Sequence, residues 1–209
     1  MNLRTRSLLP AALWQVGFFT LLLWPSGAWA AEFPLEVVRT TTAQALAVLQ
    51  DGSAQGQERI ERIWQTVLPR FDTREIAQRS LGVHWNDLTE EQRQNFVNMF
   101  VQLLKKNYSG TVARYAKDAQ FFYDGERLDG DFAEVQTRIL SSSQNTCFSI
   151  SYRLHRRAGK WLVYDVVAEN VGMVRNYRNQ FNRIIDKSSY EGLVQALGKK
   201  IQELEISPS

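Results

Sequence analysis

Residues Trp161 to Phe181 constrain the fold of this chain more than any other stretch. Trp161 to Ala168 reads Trp-Leu-Val-Tyr-Asp-Val-Val-Ala. Both side-chain parities are apolar apart from one acid, the pattern of a strand buried on both faces. After Asn170 the period changes. Val171, Val174, Tyr177, Phe181, Ile184 and Ile185 fall at helical spacing, while Arg175, Arg178, Asn179, Asn182 and Arg183 take the opposite side. A central strand that turns straight into an amphipathic helix must lay that helix against its own sheet.

The chain before it divides into a helical half and a strand half. Val38, Thr42, Ala45, Leu46 and Leu49 line one side of a helix that starts near Pro34. A second helix, from about Gln57 to Leu68, carries Ile60, Ile63, Trp64 and Val67, and Pro69 stops it. Asp72 with Glu75 has the form of a capping box opening a short helix, with Gly82 as its C-terminal cap. Thr89 to Gln92 repeats that logic and opens the longest helix, to about Lys117. Its apolar face, Phe96, Phe100, Leu103, Leu104, Tyr108, Val112 and Tyr115, is wider than one neighbouring helix covers. Strands follow. Asp124-Gly125 and Asp129-Gly130 are turn signals, and two alternating runs succeed them: Ala133 to Ile139, then Phe148 to His155, with His155 on the polar parity. Arg157 to Lys160 reads as a tight hairpin into the central strand. Ser188 with Glu191 is a third capping box for a last helix through Leu193, Leu197 and Ile201. The order predicts an α+β fold: a curved antiparallel sheet of about four strands packed against helices, with an added N-terminal helical lobe.

The N-terminus reads as a secretory signal. Arg4 and Arg6 precede an apolar run from Leu8 to Trp24, and Ala28-Trp29-Ala30 supplies the small residues of a cleavage site before Ala31. Pro10 and Gln15 leave that run shorter than the ~20 residues of a spanning helix. Residues 31–209 then form a single domain: 31–118 mainly helical, 119–169 sheet, 170–205 C-terminal helices. Without Arg4 and Arg6 the chain keeps 23 basic and 22 acidic residues, a net of +1. No basic stripe with interleaved aromatics appears, so nucleic acid is not an expected partner. Cys147 stands alone, which excludes a disulfide framework and a multi-cysteine metal site.

Catalytic signatures are absent too: there is no nucleophile elbow, phosphate-binding glycine loop or zinc-protease helix. His84 and His155 lie in different elements. The acids Asp124, Glu126, Asp129 and Asp131 lack the spacing of a calcium loop, and no cofactor is expected. Asp165, an acid inside an apolar strand, must be paired or protonated. It either bonds an arginine or backbone amides, or serves as a general base in an apolar pocket, as in a lyase or isomerase.

Several pieces of the chain, in order, resemble one family. Leu68-Pro69-Arg70-Phe71-Asp72, Leu81-Gly82 with Trp85, and Thr89 to Arg93 with Phe96 and Phe100 come first. Trp161-x-x-Tyr164-Asp165-Val166, Ala168-Glu169, Met173-Val174 and Asn176 to Phe181 complete the set. Together they resemble the MlaC family, also known as toluene-tolerance auxiliary proteins, periplasmic carriers of phospholipid with a hopanoid-associated branch. The sequence departs at Asn170-Val171-Gly172, where Gly-Val-Ser is expected; asparagine tolerates the left-handed turn, but the serine is missing. The resemblance implies a nuclear-transport-factor-like sheet that keeps a lipid pocket against the helices. Candidate lining residues are Phe96, Phe100, Leu104, Tyr108, Phe148, Ile150, Tyr152, Val163, Val171, Val174, Tyr177 and Phe181. It further implies a monomeric, non-enzymatic carrier in the periplasm, holding a phospholipid by its acyl chains. Its partners would be an inner-membrane MCE-domain complex with its ABC transporter and an outer-membrane lipoprotein complex. A hopanoid or other polycyclic lipid is the alternative cargo, and an interaction module without a cavity the plainest alternative.

Overall fold

Local capping chemistry sets the helix boundaries. The computed structural model describes residues 32–115, 118–142 and 145–206; the stretch read as a secretory signal and the side chains of Tyr115 and Ile206 lie outside them. Helix α1 (Pro34–Gln50) has proline in its first turn, where the missing N–H costs nothing. Helix α2 (Gly56–Val67) gives way at Pro69 to a 3-10 turn, Leu68–Arg70. Helix α3 (Thr73–Leu81) is capped by Asp72, whose carboxylate accepts from the Glu75 N–H at 3.0 Å, and ends at Gly82 with φ +59°. Helix α4 (Glu90–Tyr115) opens on a reciprocal box. The Thr89 N–H donates to Gln92 Oε1 (2.8 Å), and the Gln92 N–H donates to Thr89 Oγ1 (3.2 Å).

Five antiparallel strands follow in the order β1-β2-β3-β4-β5: β1 (Ala119–Asp129), β2 (Phe132–Ser141), β3 (Thr146–Arg157), β4 (Lys160–Ala168) and β5 (Val171–Gly172). Two features differ from the sequence reading. Asp124-Gly125 is not a turn. It lies inside β1 as a bulge, where pairing jumps from Tyr123↔Thr137 to Gly125↔Gln136 and Gly125 takes φ +139°. The extra residue, Asp124, pairs with Arg138 at 2.7 Å, so its carboxylate is used locally. The fifth strand is only two residues long. It forms because Glu169 and Asn170 both adopt left-handed conformations (φ +46° and +64°) and fold Val171 back onto Ala168.

Helices α5 (Met173–Lys187) and α6 (Tyr190–Ile206) complete the α+β architecture. The cap of α6 is Ser189, not Ser188. Ser189 Oγ accepts from the Gly192 N–H at 3.2 Å, while the Ser188 hydroxyl donates back to the Ile184 carbonyl at 2.8 Å and closes α5.

Two cores result. One joins α3, α4, α5 and α6 around Phe96, Phe100, Tyr177 and Phe181, whose ring centroids lie 4.9 to 5.7 Å apart. The other packs Val37 and Val38 of α1 on Val135, Leu154, Trp161 and Val163 of the sheet. Phe71 touches both. It also forms a parallel bridge with Val163, and the Asp72 N–H donates to the Val163 carbonyl at 2.9 Å. The Asp72 carboxylate is buried beside His155 Nε2 (3.1 Å) and Arg157 (3.0 Å). His155 is therefore not solvated as its strand parity predicts: its side chain is 13% exposed, covered by Asp72 and by the Tyr164 ring. Glu32 onward forms one compact unit. Among the described residues, no helix is long and apolar enough to cross a membrane.

Candidate functional site

Between the two cores lies a cavity of about 540 Å³, inside the size range of ligand sites. Each wall has a local cause. Helix α4 carries two apolar stripes rather than one. Phe96, Phe100 and Leu103 follow one helical row into the closed core against α5 and α6. Val101, Leu104, Tyr108 and Val112 follow the next row and face the cavity. From β3, Phe148, Ile150 and Tyr152 share one parity and line it, while Leu154 carries the same parity into the closed core. In β4 a bulge switches the parity. Arg153 pairs with Asp165 but Leu154 pairs with Val163, so Tyr164 has no opposite residue. Val163 and then Val166 and Ala168 thus face the same cavity. Part of the strand's two-parity apolar pattern is this exchange of faces.

The opposite wall comes from the N-terminal helices. Thr42, Ala45, Leu46 and Leu49 of α1 and Ile63, Trp64 and Val67 of α2 line it. Polar atoms here are turned away: Thr41 Oγ1 donates to the Val37 carbonyl at 2.7 Å, and Trp64 Nε1 donates to Ser109 Oγ at 3.1 Å. Arg70, the only charged side chain among the described lining residues, is bound by Glu32 at 2.8 Å. Burial, with a smaller contribution from Tyr123, pushes the Tyr152 hydroxyl up to about 12, so little water stabilises its ionised form.

The opening is identifiable from exposure. Among the lining residues, only Tyr108, Thr111, Ala168, Val171 and Asn176 are exposed. They gather on the C-terminal half of α4, the β4–β5 turn and the first turn of α5. Val171, 60% exposed, marks the rim.

Of the residues put forward from sequence, Leu104, Tyr108, Phe148, Ile150, Tyr152, Val163 and Val171 line this cavity. Phe96, Phe100, Val174, Tyr177 and Phe181 do not; they are buried in the closed helical core. The reason is the orientation of α5, which turns its apolar stripe onto α4 and α6 and presents only Met173 and Asn176 to the cavity. The walls from α1 and α2 were missed. Their apolar spacing is visible in the sequence, but core and cavity faces share that spacing.

Asp165 belongs to none of these walls. It is 4% exposed, accepts from the Val174 N–H at 3.0 Å, and lies 3.3 Å from the Arg153 guanidinium. A strand residue thus caps the first turn of α5, fixing the helix to its own sheet. Gly172 makes the approach possible, since a Cβ there would stand 3.1 Å from Asp165 Oδ2. Asp165→Asn keeps the size of the side chain but sets an amide against Arg153 or against the helix N–H. It is expected to lower stability by about 1–2 kcal/mol, read as a lower urea midpoint, with cavity occupancy retained. Among the described residues, no group of three metal-ligating side chains is present.

The chain is similar in sequence and fold to known proteins. The match to the family model described as MlaC protein spans residues 39–199. The intermembrane phospholipid transport system binding protein MlaC of Haemophilus influenzae is 22% identical over 131 residues, 61% of each chain. The match thus spans less than two thirds of that relative. The toluene tolerance protein ttg2D of Pseudomonas putida is 23% identical over 190 residues, 86% of this chain and 88% of that one. Among solved structures, the phospholipid-binding protein of Ralstonia solanacearum, determined in complex with a phospholipid, superimposes with a TM-score of 0.71 at 25% identity. It covers 82% of this chain and 98% of its own. A family match that spans the whole sheet and helices α2 to α5 settles the assignment: this chain belongs to the MlaC family.

Proposed function

We propose that this protein is a periplasmic phospholipid carrier that shelters acyl chains in the cavity between sheet and helices. The observation that carries the reading is the apolar cavity of about 540 Å³, open at a rim where Tyr108, Thr111 and Asn176 stand beside Ala168 and Val171. A closed void of that size would cost roughly 13 kcal/mol at ~24 cal/mol per Å³, as much as a domain's whole net stability. Its walls offer water few partners, so an apolar occupant fits them better. Each acyl methylene kept from water is worth ~0.8 kcal/mol, which makes unaided diffusion of a two-chain lipid negligible. The family assignment and the lipid-bound neighbour from Ralstonia solanacearum support the same cargo. The lining lacks an acid–base pair, and Asp165 has a structural task elsewhere, which favours carriage over catalysis. In this reading the protein shuttles lipid between an inner-membrane MCE-domain complex with its ABC transporter and an outer-membrane lipoprotein complex.

The test is transfer of a labelled phospholipid between donor and acceptor vesicles kept apart by a membrane that passes the protein. Label should reach the acceptor in proportion to protein concentration. No transfer above the protein-free rate would contradict the carrier reading.

A further inference from the structure

The exposed rim of the cavity holds three polar side chains, none of them charged: Tyr108 and Thr111, one turn apart on α4, and Asn176 across from them on α5. Beside Tyr108 the neighbouring tyrosine hydroxyl is already engaged. Asn107 Nδ2 donates to the Tyr177 hydroxyl at 2.9 Å, and an amide nitrogen can only donate. The Tyr177 oxygen is therefore held as an acceptor by Asn107, the residue next to Tyr108 in the sequence and on the neighbouring helix. Tyr108 itself lines the cavity and is 37% exposed, so its hydroxyl can serve a ligand at the opening. Asn176 Oδ1 accepts from Gln180 at 3.2 Å, which leaves the Asn176 amide N–H groups free as donors. Arg70 is removed from competition by Glu32.

We propose that this rim is a neutral donor subsite for the glycerol end of the lipid, with Tyr108 and Asn176 donating to ester-carbonyl or phosphodiester oxygens. The inference rests on the carrier reading and adds a selectivity to it. A site that reads oxygen acceptors without a cation binds zwitterionic and anionic glycerophospholipids alike, and disfavours a polycyclic hydrocarbon that lacks such oxygens.

The experiment loads lipid-stripped protein from vesicles of one lipid at a time and measures lipid retained per protein by mass spectrometry after gel filtration. The lipids are diester phosphatidylglycerol, diester phosphatidylethanolamine and the dialkyl-ether form of phosphatidylglycerol. Tyr108→Phe should retain both diester lipids about fivefold less well than the native protein, the effect of one lost hydrogen bond. Its melting temperature when lipid-free should be unchanged. Tyr123→Phe, which removes a hydroxyl outside the cavity lining, is the control and should retain lipid normally. If the ether lipid is insensitive to Tyr108→Phe, the carbonyl is the acceptor; if it is equally sensitive, the phosphodiester is. Native-like retention by Tyr108→Phe, or a tenfold preference of the native protein between the two diester headgroups, would overturn the subsite alone. A native protein that loads none of the three lipids would overturn the carrier reading itself.

Discussion

Leu104→Trp is expected to cut lipid binding about tenfold or more while leaving the lipid-free protein folded. Leu104 lines the cavity, so the added indole enters space that the empty protein does not fill. In the loaded protein the same volume meets an acyl chain. Overpacking of ~1–3 kcal/mol then falls on the bound state alone, and each 1.4 kcal/mol is about a factor of ten in affinity. Leu103→Trp is the matched contrast. Leu103 is 4% exposed in the closed core with α5 and α6, where the surroundings are already packed. There the cost should fall on folding and lower the melting temperature by roughly 3 to 9 °C. Lipid titration and thermal melts of the two stripped variants separate the outcomes. Loss of stability in Leu104→Trp with unchanged affinity would mean that Leu104 is ordinary core.

Asp72→Ala should be the most destabilising of the single changes considered, at about 3 kcal/mol. It removes the α3 cap and leaves the half-buried His155 ring without the carboxylate that it contacts. Arg157 adds less than a buried partner would, because its side chain is 59% exposed and screened. The contribution depends on pH with a definite sign. Burial raises the pKa of Asp72, but the Glu75 N–H and Arg157 outweigh it and hold the carboxyl below its ordinary 3.8. A depressed carboxyl stabilises the native state fully above about pH 4 and loses that contribution as pH falls through the lower, folded-state value. Denaturant midpoints measured from pH 6 down to pH 2 should therefore converge between native protein and Asp72→Asn at the acid end. A constant gap down to pH 2 would show that the carboxylate charge is not what matters.

What the sequence revealed was mostly local. The boxes at Asp72 and Thr89 depend on residues three apart; the Thr89 box forms in full, while at Asp72 only the side-chain cap forms, because the Asp72 N–H goes to the Val163 carbonyl and Glu75 to Arg79. The tolerance of Asn170 for a left-handed turn is likewise a property of one residue. Features set by pairing across the sheet were not legible. The bulges at Asp124 and Tyr164 exist only relative to the opposite strand, so Asp124-Gly125 reads as a turn and β4 as a strand simply covered on both faces. His155 reads as solvated because its partner, Asp72, stands 83 residues away in the chain. The cavity was legible as an excess of apolar surface on α4 but not as a lining. Leu103 and Leu104 are alike in chemistry, and only the packing of α5 and α6 decides which of them is core.

The central claim is that the cavity houses the acyl chains of a phospholipid. Mass spectrometry of an organic extract of the protein, purified without detergent, tests it most directly. The account predicts glycerophospholipid at close to one molecule per protein, with mixed headgroups. An extract empty of lipid, or one dominated by a single polycyclic species, would contradict it.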